Sequence, residues 1–213
     1  MRCLQHWTRK ALYFRSGRIS KDPEKAINWV RPLDRGIVST RPIFTPADLE
    51  GFRLRMFESE IPLKTYQTLG ASTVIVSWPD VYTAITTGVV DGLTGTVLDN
   101  FEFKHFEQAK FWTNISENFQ LHLPYMSKDV FESLTEEQQA AVAQAMSDMG
   151  PVIHADMVAA DQVARLKART EMGVALIDPP MGPWIDKVAP AHSEFEKNGL
   201  VEEGLIGRIL AIE

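Results

Sequence analysis

Cysteine is almost absent from this chain, since the 213 residues contain only Cys3. A single cysteine excludes an internal disulfide and a metal cluster built on thiolates. Long apolar runs are lacking too, because no stretch approaches the roughly 18 consecutive apolar residues that a membrane-spanning helix needs. Basic residues are outnumbered, with 22 Lys and Arg against 28 Asp and Glu and a net charge of -6. That balance predicts no basic surface for nucleic acid.

The start of the chain is the basic exception. Residues 1–18 contain Arg2, Arg9, Lys10, Arg15 and Arg18 and no acidic residue. No apolar segment of about 7 to 15 residues follows, so the composition does not predict a secretory signal peptide. We expect residues 1–36 to form a basic arm and a remnant of an earlier domain or hinge.

Catalytic and metal-binding motifs are also missing from the sequence. The five histidines lie far apart, without the spacing of a metal-ligand set. No nucleophile elbow, phosphate loop or dinucleotide-binding glycine motif follows a predicted strand. We therefore predict no enzyme activity, no bound metal and no cofactor.

What the sequence does contain is a regular alternation of strand and helix patterns. Phe52–Phe57 alternates apolar and polar residues as a strand does, and Thr73–Val76 is a β-branched run typical of a buried parallel strand. Further predicted elements are helices at 61–69, 78–88 and 98–111, a strand at 120–126, a long helix from 135 to 172 kinked or broken near Pro151, a strand at 174–177, and two helices separated by Asn198-Gly199. This order indicates an α/β protein with a parallel or mixed sheet.

Two side chains at predicted strand ends indicate a ligand site. In open α/β sheets, ligands bind outside the carboxyl ends of the strands. Arg55 and Trp78 both occupy such positions. Because a guanidinium group presents its donors as a rigid fork that matches a carboxylate, we predict that Arg55 binds a small carboxylate. Arg53, on the same face of its strand, is interpreted as a surface charge.

The segment Arg53–Phe57 and the run from Val76 to Gly92 together carry a family resemblance. They resemble the extracytoplasmic solute-binding proteins of TRAP (tripartite ATP-independent periplasmic) transporters, the DctP-like family, from about Ile37 to the C-terminus. This resemblance implies an α/β fold of the type II periplasmic binding protein architecture, which has two domains. The chain would then be N-terminally truncated, with the first domain largely missing. Residues 37–126 would form the second α/β domain, and residues 127–213 a helical segment that packs across both domains.

The same resemblance implies which residues line the site. The arginine that closes this strand holds the substrate carboxylate in the family, and here that residue is Arg55. Arg35 corresponds more loosely to a second arginine that contacts the ligand in some members. Trp78 aligns with an aromatic residue that packs on the ligand. Gly95 replaces an amide residue of the family motif that begins at Asp91-Gly92, so only its backbone can line the pocket.

The function implied by the resemblance is the capture of an organic acid in the periplasm and its delivery to the permease subunits of a TRAP transporter. Two alternatives stay open at this point. One is a truncated fragment without independent function, and the other is a small α/β enzyme that acts on a carboxylic acid. An enzyme would need a nucleophile and a base near Arg55, and the sequence shows neither.

Overall fold

The computed structural model describes residues 29–31, 33–118, 120–122 and 128–211. These residues form two compact units. Unit 1 takes its described residues from Met1–Pro32 and Phe119–Ala159, and unit 2 comprises Leu33–Asn118 and Ala160–Ala211. Each unit is assembled from separate stretches of the chain.

The described residues contain short strands and helices of very different lengths. The strands are β1 (Trp29–Arg31), β2 (Gly36–Ser39), β3 (Arg53–Met56), β4 (Ser72–Ile75), β5 (Gly92–Gly95), β6 (Phe111–Asn114), β7 (Gln120–His122) and β8 (Ala175–Ile177). The α-helices are α1 (Glu60–Leu69), α2 (Val81–Thr86), α3 (Val97–Glu102), α4 (Lys128–Glu132), α5 (Glu136–Thr170), α6 (Gly182–Lys197) and α7 (Leu205–Leu210). Short 3-10 helices cover Pro46–Leu49, Trp78–Asp80 and His105–Glu107. None of these helices is long and apolar enough to cross a membrane.

Unit 1 contains a two-stranded antiparallel ribbon and the start of the longest helix. β1 pairs with β7, and α5 begins in this unit and ends in unit 2. The predicted capping box is present: the Thr135 N–H donates to Gln138 Oε1 at 3.0 Å, and the Gln138 N–H donates to Thr135 Oγ1 at 3.3 Å. The strand predicted at 120–126 is confirmed for its first three residues, and the rest lies outside the described residues.

Unit 2 is built on a six-stranded mixed sheet with the order β4-β3-β5-β2-β6-β8. β3 runs parallel to β4 and β5, and β6 runs parallel to β8. β2 alone is antiparallel to both of its neighbours, β5 and β6. The carboxyl ends of β3, β4, β5, β6 and β8 therefore lie along one edge of the sheet, together with the amino end of β2.

Side chains from both faces of this sheet form the core of unit 2. Leu54 and Met56 of β3 belong to one apolar cluster, with Ile37 of β2. Val38 and Leu93 belong to the other cluster. Because neighbouring residues of a strand point to opposite faces, β2 contributes Ile37 to the first cluster and Val38 to the second. Arg53 and Arg55 alternate with Leu54 and Met56 along β3, so Arg55 points away from the first cluster.

The C-terminal part of α5 packs on the face of the sheet that carries the second apolar cluster, with Val38 and Leu93. Ala164 and Ala168 are buried there, and the Arg165 guanidinium carbon lies 4.6 Å from the ring centroid of Trp112. Asp161 accepts hydrogen bonds from the Leu98 N–H at 3.1 Å and from Arg165 Nε at 2.6 Å. The buried Asp161 carboxylate of α5 therefore binds the start of α3 directly, and it holds Arg165 against Trp112 of β6.

Two predictions about secondary structure are wrong. The helix expected at 98–111 is instead α3, a 3-10 turn and the beginning of β6, because Lys104 takes a left-handed conformation with φ 61° that ends the helix. β4 is parallel as predicted, but it is an outer strand of the sheet and not a buried one, and Ile75 is 57% exposed. At Pro151, where we expect a kink or a break, α5 continues without a break.

Candidate carboxylate-binding site

The four predicted site residues lie at one end of the strands, where β3, β4 and β5 have their carboxyl ends. Arg55 lies near the carboxyl end of β3, Trp78 follows β4, and Gly95 ends β5. Arg35 precedes β2, and its position at the same edge follows from the reversed direction of that strand. This is the edge at which open α/β sheets bind their ligands.

Arg55 is a buried cation without an anionic partner among the described residues. Only 7% of its surface is exposed, and Nε donates a hydrogen bond to the Val76 carbonyl oxygen at 2.8 Å. Burial lowers the pKa of the guanidinium, and the positive charge of Arg35 lowers it further. Because a buried charge is costly unless it is paired, the site favours the arrival of an anion.

Arg35 differs from Arg55 because its charge is already balanced. Its Nε donates to Glu117 Oε2 at 3.0 Å in an ion pair whose side chains are each 12% exposed. Its Nη2 donates to Thr94 Oγ1 at 3.2 Å. Tyr66 lies close by, and its pKa is raised by burial and by the negative charge of Glu117. Its hydroxyl group makes no hydrogen bond of standard geometry within the described residues.

Trp78 lies against the Arg55 guanidinium rather than inside the core. The guanidinium carbon is 5.4 Å from the indole centroid, which is a cation–π arrangement. The half-buried indole also meets Phe103 edge-on at 5.1 Å and His105 edge-on at 5.3 Å. Because Phe103 is 51% exposed, an apolar surface reaches solvent beside Arg55.

His105 is a buried titratable group that lies next to Trp78. It is 1% exposed, and burial, followed by the charge of Arg55, lowers its pKa to about 4, although Asp99 acts in the opposite direction. Its Nδ1 lies 2.8 Å from Asn100 Oδ1. Since Asn100 Nδ2 donates to the Thr96 carbonyl at 2.7 Å, the Asn100 oxygen is left to accept the proton of His105 Nδ1. Because its pKa is lowered to about 4, the imidazole is neutral at pH 7.

Gly95 contributes space rather than a contact to the site. Its carbonyl oxygen accepts a hydrogen bond from Trp112 Nε1 at 3.1 Å. A Cβ atom at Gly95 would collide with the Asn100 amide nitrogen. The absence of a side chain at Gly95 therefore makes room for the amide that orients His105.

Sequence reasoning identified neither Glu117 nor the pair Asn100 and His105. Arg53, by contrast, is a surface residue that forms an ion pair with Asp91, and this contact lowers the pKa of the Asp91 carboxyl group. Among the described residues there is no group of three or more His, Cys, Asp and Glu side chains that could hold a metal ion. A surface depression of about 350 Å³ at the start of α1 is lined by residues between Glu58 and Gln67 and includes none of the predicted site residues.

A family model described as bacterial extracellular solute-binding protein, family 7 (DctP) matches residues 23–198. A 2,3-diketo-L-gulonate-binding periplasmic protein of Escherichia coli is 27% identical over 144 residues, which cover 67% of this chain and 44% of that protein.

Solved structures give the same result for the fold. A TRAP periplasmic solute binding protein from Xanthobacter autotrophicus with bound β-D-galacturonate has a TM-score of 0.75 and 25% identity, covering 80% of this chain and 57% of that one. Another from Citrobacter koseri with bound D-glucuronate has a TM-score of 0.78 and 19% identity, covering 91% and 64%. The predicted type II fold class is confirmed. The chain spans about half the length of the curated relatives it matches.

Proposed function

Because the chain belongs to the bacterial extracellular solute-binding proteins of family 7, we propose that it binds an organic acid, with Arg55 as the residue that holds the carboxylate. The relative from Escherichia coli binds a sugar acid, and the structures from Xanthobacter and Citrobacter contain uronates. In this proposal the acid is captured in the periplasm, where members of the family act, and is delivered to the permease subunits of a TRAP transporter.

The observation that carries the proposal is the unpaired charge of Arg55. A buried guanidinium with one hydrogen bond keeps further N–H donors available for an acceptor. A ligand carboxylate would accept two of them side by side, and each charge-assisted hydrogen bond is worth about 1.5 to 3 kcal/mol. The anion would also neutralise a charge that is otherwise unbalanced in a buried position.

The other predicted residues take different parts in this proposal. Trp78 offers its indole to the apolar face of the ligand and holds the Arg55 guanidinium in place. Arg35 has its Nε and Nη2 donors bonded to Glu117 and Thr94, so these two donors support the site and do not receive the ligand. Gly95 acts indirectly, through the space it leaves for Asn100.

The experiment that tests the proposal is an NMR titration of the 213-residue chain with a panel of organic acids, which measures dissociation constants from micromolar to millimolar. Arg55→Met should weaken binding at least about tenfold, equivalent to about 1.4 kcal/mol. Arg55→Lys should also weaken it, because a lysine keeps the charge but loses the fork. Arg53→Met is the matched control on the same strand and should leave the affinity unchanged. An Arg55→Met variant that binds as tightly as the wild type would refute the role of Arg55.

A further inference from the structure

The aromatic side chains beside Arg55 lie on a buried imidazole. The ring of His105 meets the half-buried indole of Trp78 edge-on at 5.3 Å. It also stacks on Phe103 with an angle of 22° between the ring planes and 6.1 Å between their centroids. Trp78 in turn lies 5.4 Å from the guanidinium carbon of Arg55. His105 therefore packs beneath the indole against which the guanidinium lies.

The orientation of this imidazole is set by a completely buried amide. Asn100 Nδ2 donates to the Thr96 carbonyl oxygen at 2.7 Å, and Asn100 Oδ1 lies 2.8 Å from His105 Nδ1. Thr96 is fixed as well, because it is the N-cap of α3 and its Oγ1 accepts from the Asp99 N–H at 3.1 Å. Since both ends of the Asn100 amide are bonded, the amide cannot turn without losing hydrogen bonds. The plane of the His105 ring is fixed with it.

We propose that Asn100 and His105 are positioning residues of the carboxylate site: they hold the Trp78 indole in place, and the indole holds the Arg55 guanidinium in the plane that binds a carboxylate. The proposal rests on the function proposed above. It adds two residues that set the affinity of the site without touching the ligand.

Arg55 needs such a support because its own hydrogen bond leaves one rotation open. The bond from Nε to the Val76 carbonyl oxygen fixes the inner end of the guanidinium, but the group can still turn about that bond. Two carboxylate oxygens are bound side by side only when the outer donors lie in a defined plane. The Trp78 ring, which faces the guanidinium carbon, can define this plane. Binding residues are held accurately when the residues behind them are themselves fixed by packing and hydrogen bonds.

The strand next to α3 keeps the space that the Asn100 amide occupies. A Cβ atom at Gly95 would collide with Asn100 Nδ2, and the Gly95 carbonyl oxygen accepts from Trp112 Nε1 at 3.1 Å. A buried polar network whose groups are bonded favours one arrangement of the side chains around it. Gly95, Asn100 and His105 therefore form a rigid base under Trp78.

The test compares ligand affinity with stability in the 213-residue chain, using D-glucuronate and succinate as probes in NMR titrations and urea to measure unfolding. Asn100→Ala and His105→Leu should each raise the dissociation constants about tenfold, as is typical when a residue behind a binding group is lost. Thr113→Val is the matched control. It removes a completely buried hydrogen bond of 2.7 Å to the Ile43 carbonyl oxygen, and Thr113 pairs with Ile37 of the first cluster, on the other face of the sheet. T113V should lower the stability and leave both dissociation constants unchanged.

Two further measurements separate positioning from a purely structural role. The Nε–H resonance of Arg55, identified by its loss in Arg55→Met, reports on the guanidinium without any ligand, because its chemical shift depends on the ring current of the nearby indole. This resonance should move in N100A and H105L and stay in place in T113V. In a Trp78→Ala background, H105L should have no further effect on affinity, since His105 then has no indole to hold.

The outcomes distinguish this proposal from the proposed function. If N100A and H105L bind both probes as tightly as the wild type, or if H105L weakens binding equally in the W78A background, the positioning role is refuted while the function stands. A loss of affinity in T113V as large as theirs would refute it too. If the wild type binds neither probe nor any other acid of the panel, the proposed function fails, and the Arg55 Nε–H resonance alone decides on the positioning. Should H105L fail to fold, N100A decides by affinity and by the same resonance.

Discussion

Replacing Arg55 by methionine should stabilise the protein in the absence of ligand. The guanidinium is 7% exposed, has no anionic partner among the described residues, and has its pKa lowered by burial and by Arg35. Methionine has a similar length and no charge, and its thioether packs well on aromatic rings such as Trp78. A charged residue that lowers the stability of the unliganded protein is expected where its charge binds a ligand and does not stabilise the fold.

The size of the effect follows from two opposing contributions. Replacing a buried charge by an apolar group of similar volume is often neutral or stabilising by about 1 to 4 kcal/mol. The Val76 carbonyl would lose its hydrogen bond from Arg55 Nε, which costs about 1 kcal/mol. The net gain should be about 1 kcal/mol, which raises Tm by about 2 to 4 °C for a chain of this size.

Thermal and urea unfolding in a buffer free of carboxylates would measure this gain. Carboxylate buffers such as citrate or acetate would stabilise only the wild type if they bind at Arg55. The control is Arg53→Met, which should slightly lower the stability because Asp91 loses its partner. An Arg55→Met variant that is less stable than the wild type by more than about 1 kcal/mol would show that the guanidinium is compensated after all, and would remove the basis of the anion site.

Two further predictions concern His105 and Gly95. Because the pKa of His105 falls to about 4 in the folded protein from about 6.5, its contribution to stability is complete above pH 6.5 and declines as the pH falls towards 4. Urea unfolding should lose about 2 kcal/mol between pH 7 and pH 5, and His105→Gln should remove this loss; an unchanged slope in the variant would contradict the assignment. Gly95→Ala should cost about 1 to 3 kcal/mol because the new methyl group meets the hydrogen-bonded Asn100 amide, whereas Gly182→Ala, at an open position, should cost far less. Equal effects of the two glycine substitutions would show that Asn100 moves aside freely.

Sequence patterns were sufficient where local signals determine the structure. The alternation of Phe52–Phe57 predicted β3, and the glycine after Leu69 marked the end of α1. Arg55 and Trp78 could be identified because each lies where a predicted strand ends. The family resemblance supplied Arg35, whose place beside a central strand no local pattern showed.

The elements that the sequence did not reveal depend on tertiary neighbours. β5 consists of Gly92–Gly95, and a Cβ at Gly92 would strike the Val38 carbonyl of β2, so Gly92 serves close strand packing and is not part of a loop. The aromatic residues near Phe111 led to the prediction of one helix, but the left-handed conformation of Lys104 ends the helix before it reaches them. Glu117 follows β6 and His105 begins a 3-10 helix, and both reach the site through the strand order of the sheet. A histidine between two phenylalanines was the one local signal that could have drawn attention to His105.

The position of β2 between β5 and β6 has a consequence for the order in which unit 2 assembles during synthesis. β2 is the first strand of the six-stranded sheet to be made, yet it lies between β5 and β6, which are made much later. Until residues 92–95 and 111–114 have left the ribosome, Ile37 and Val38 have no strand beside them, although both are completely buried in the folded unit. Pairing between residues far apart in sequence is slow, and unpaired strands expose the chain to aggregation. The strand that brings Arg35 to the site is therefore also the segment that would depend longest on a chaperone.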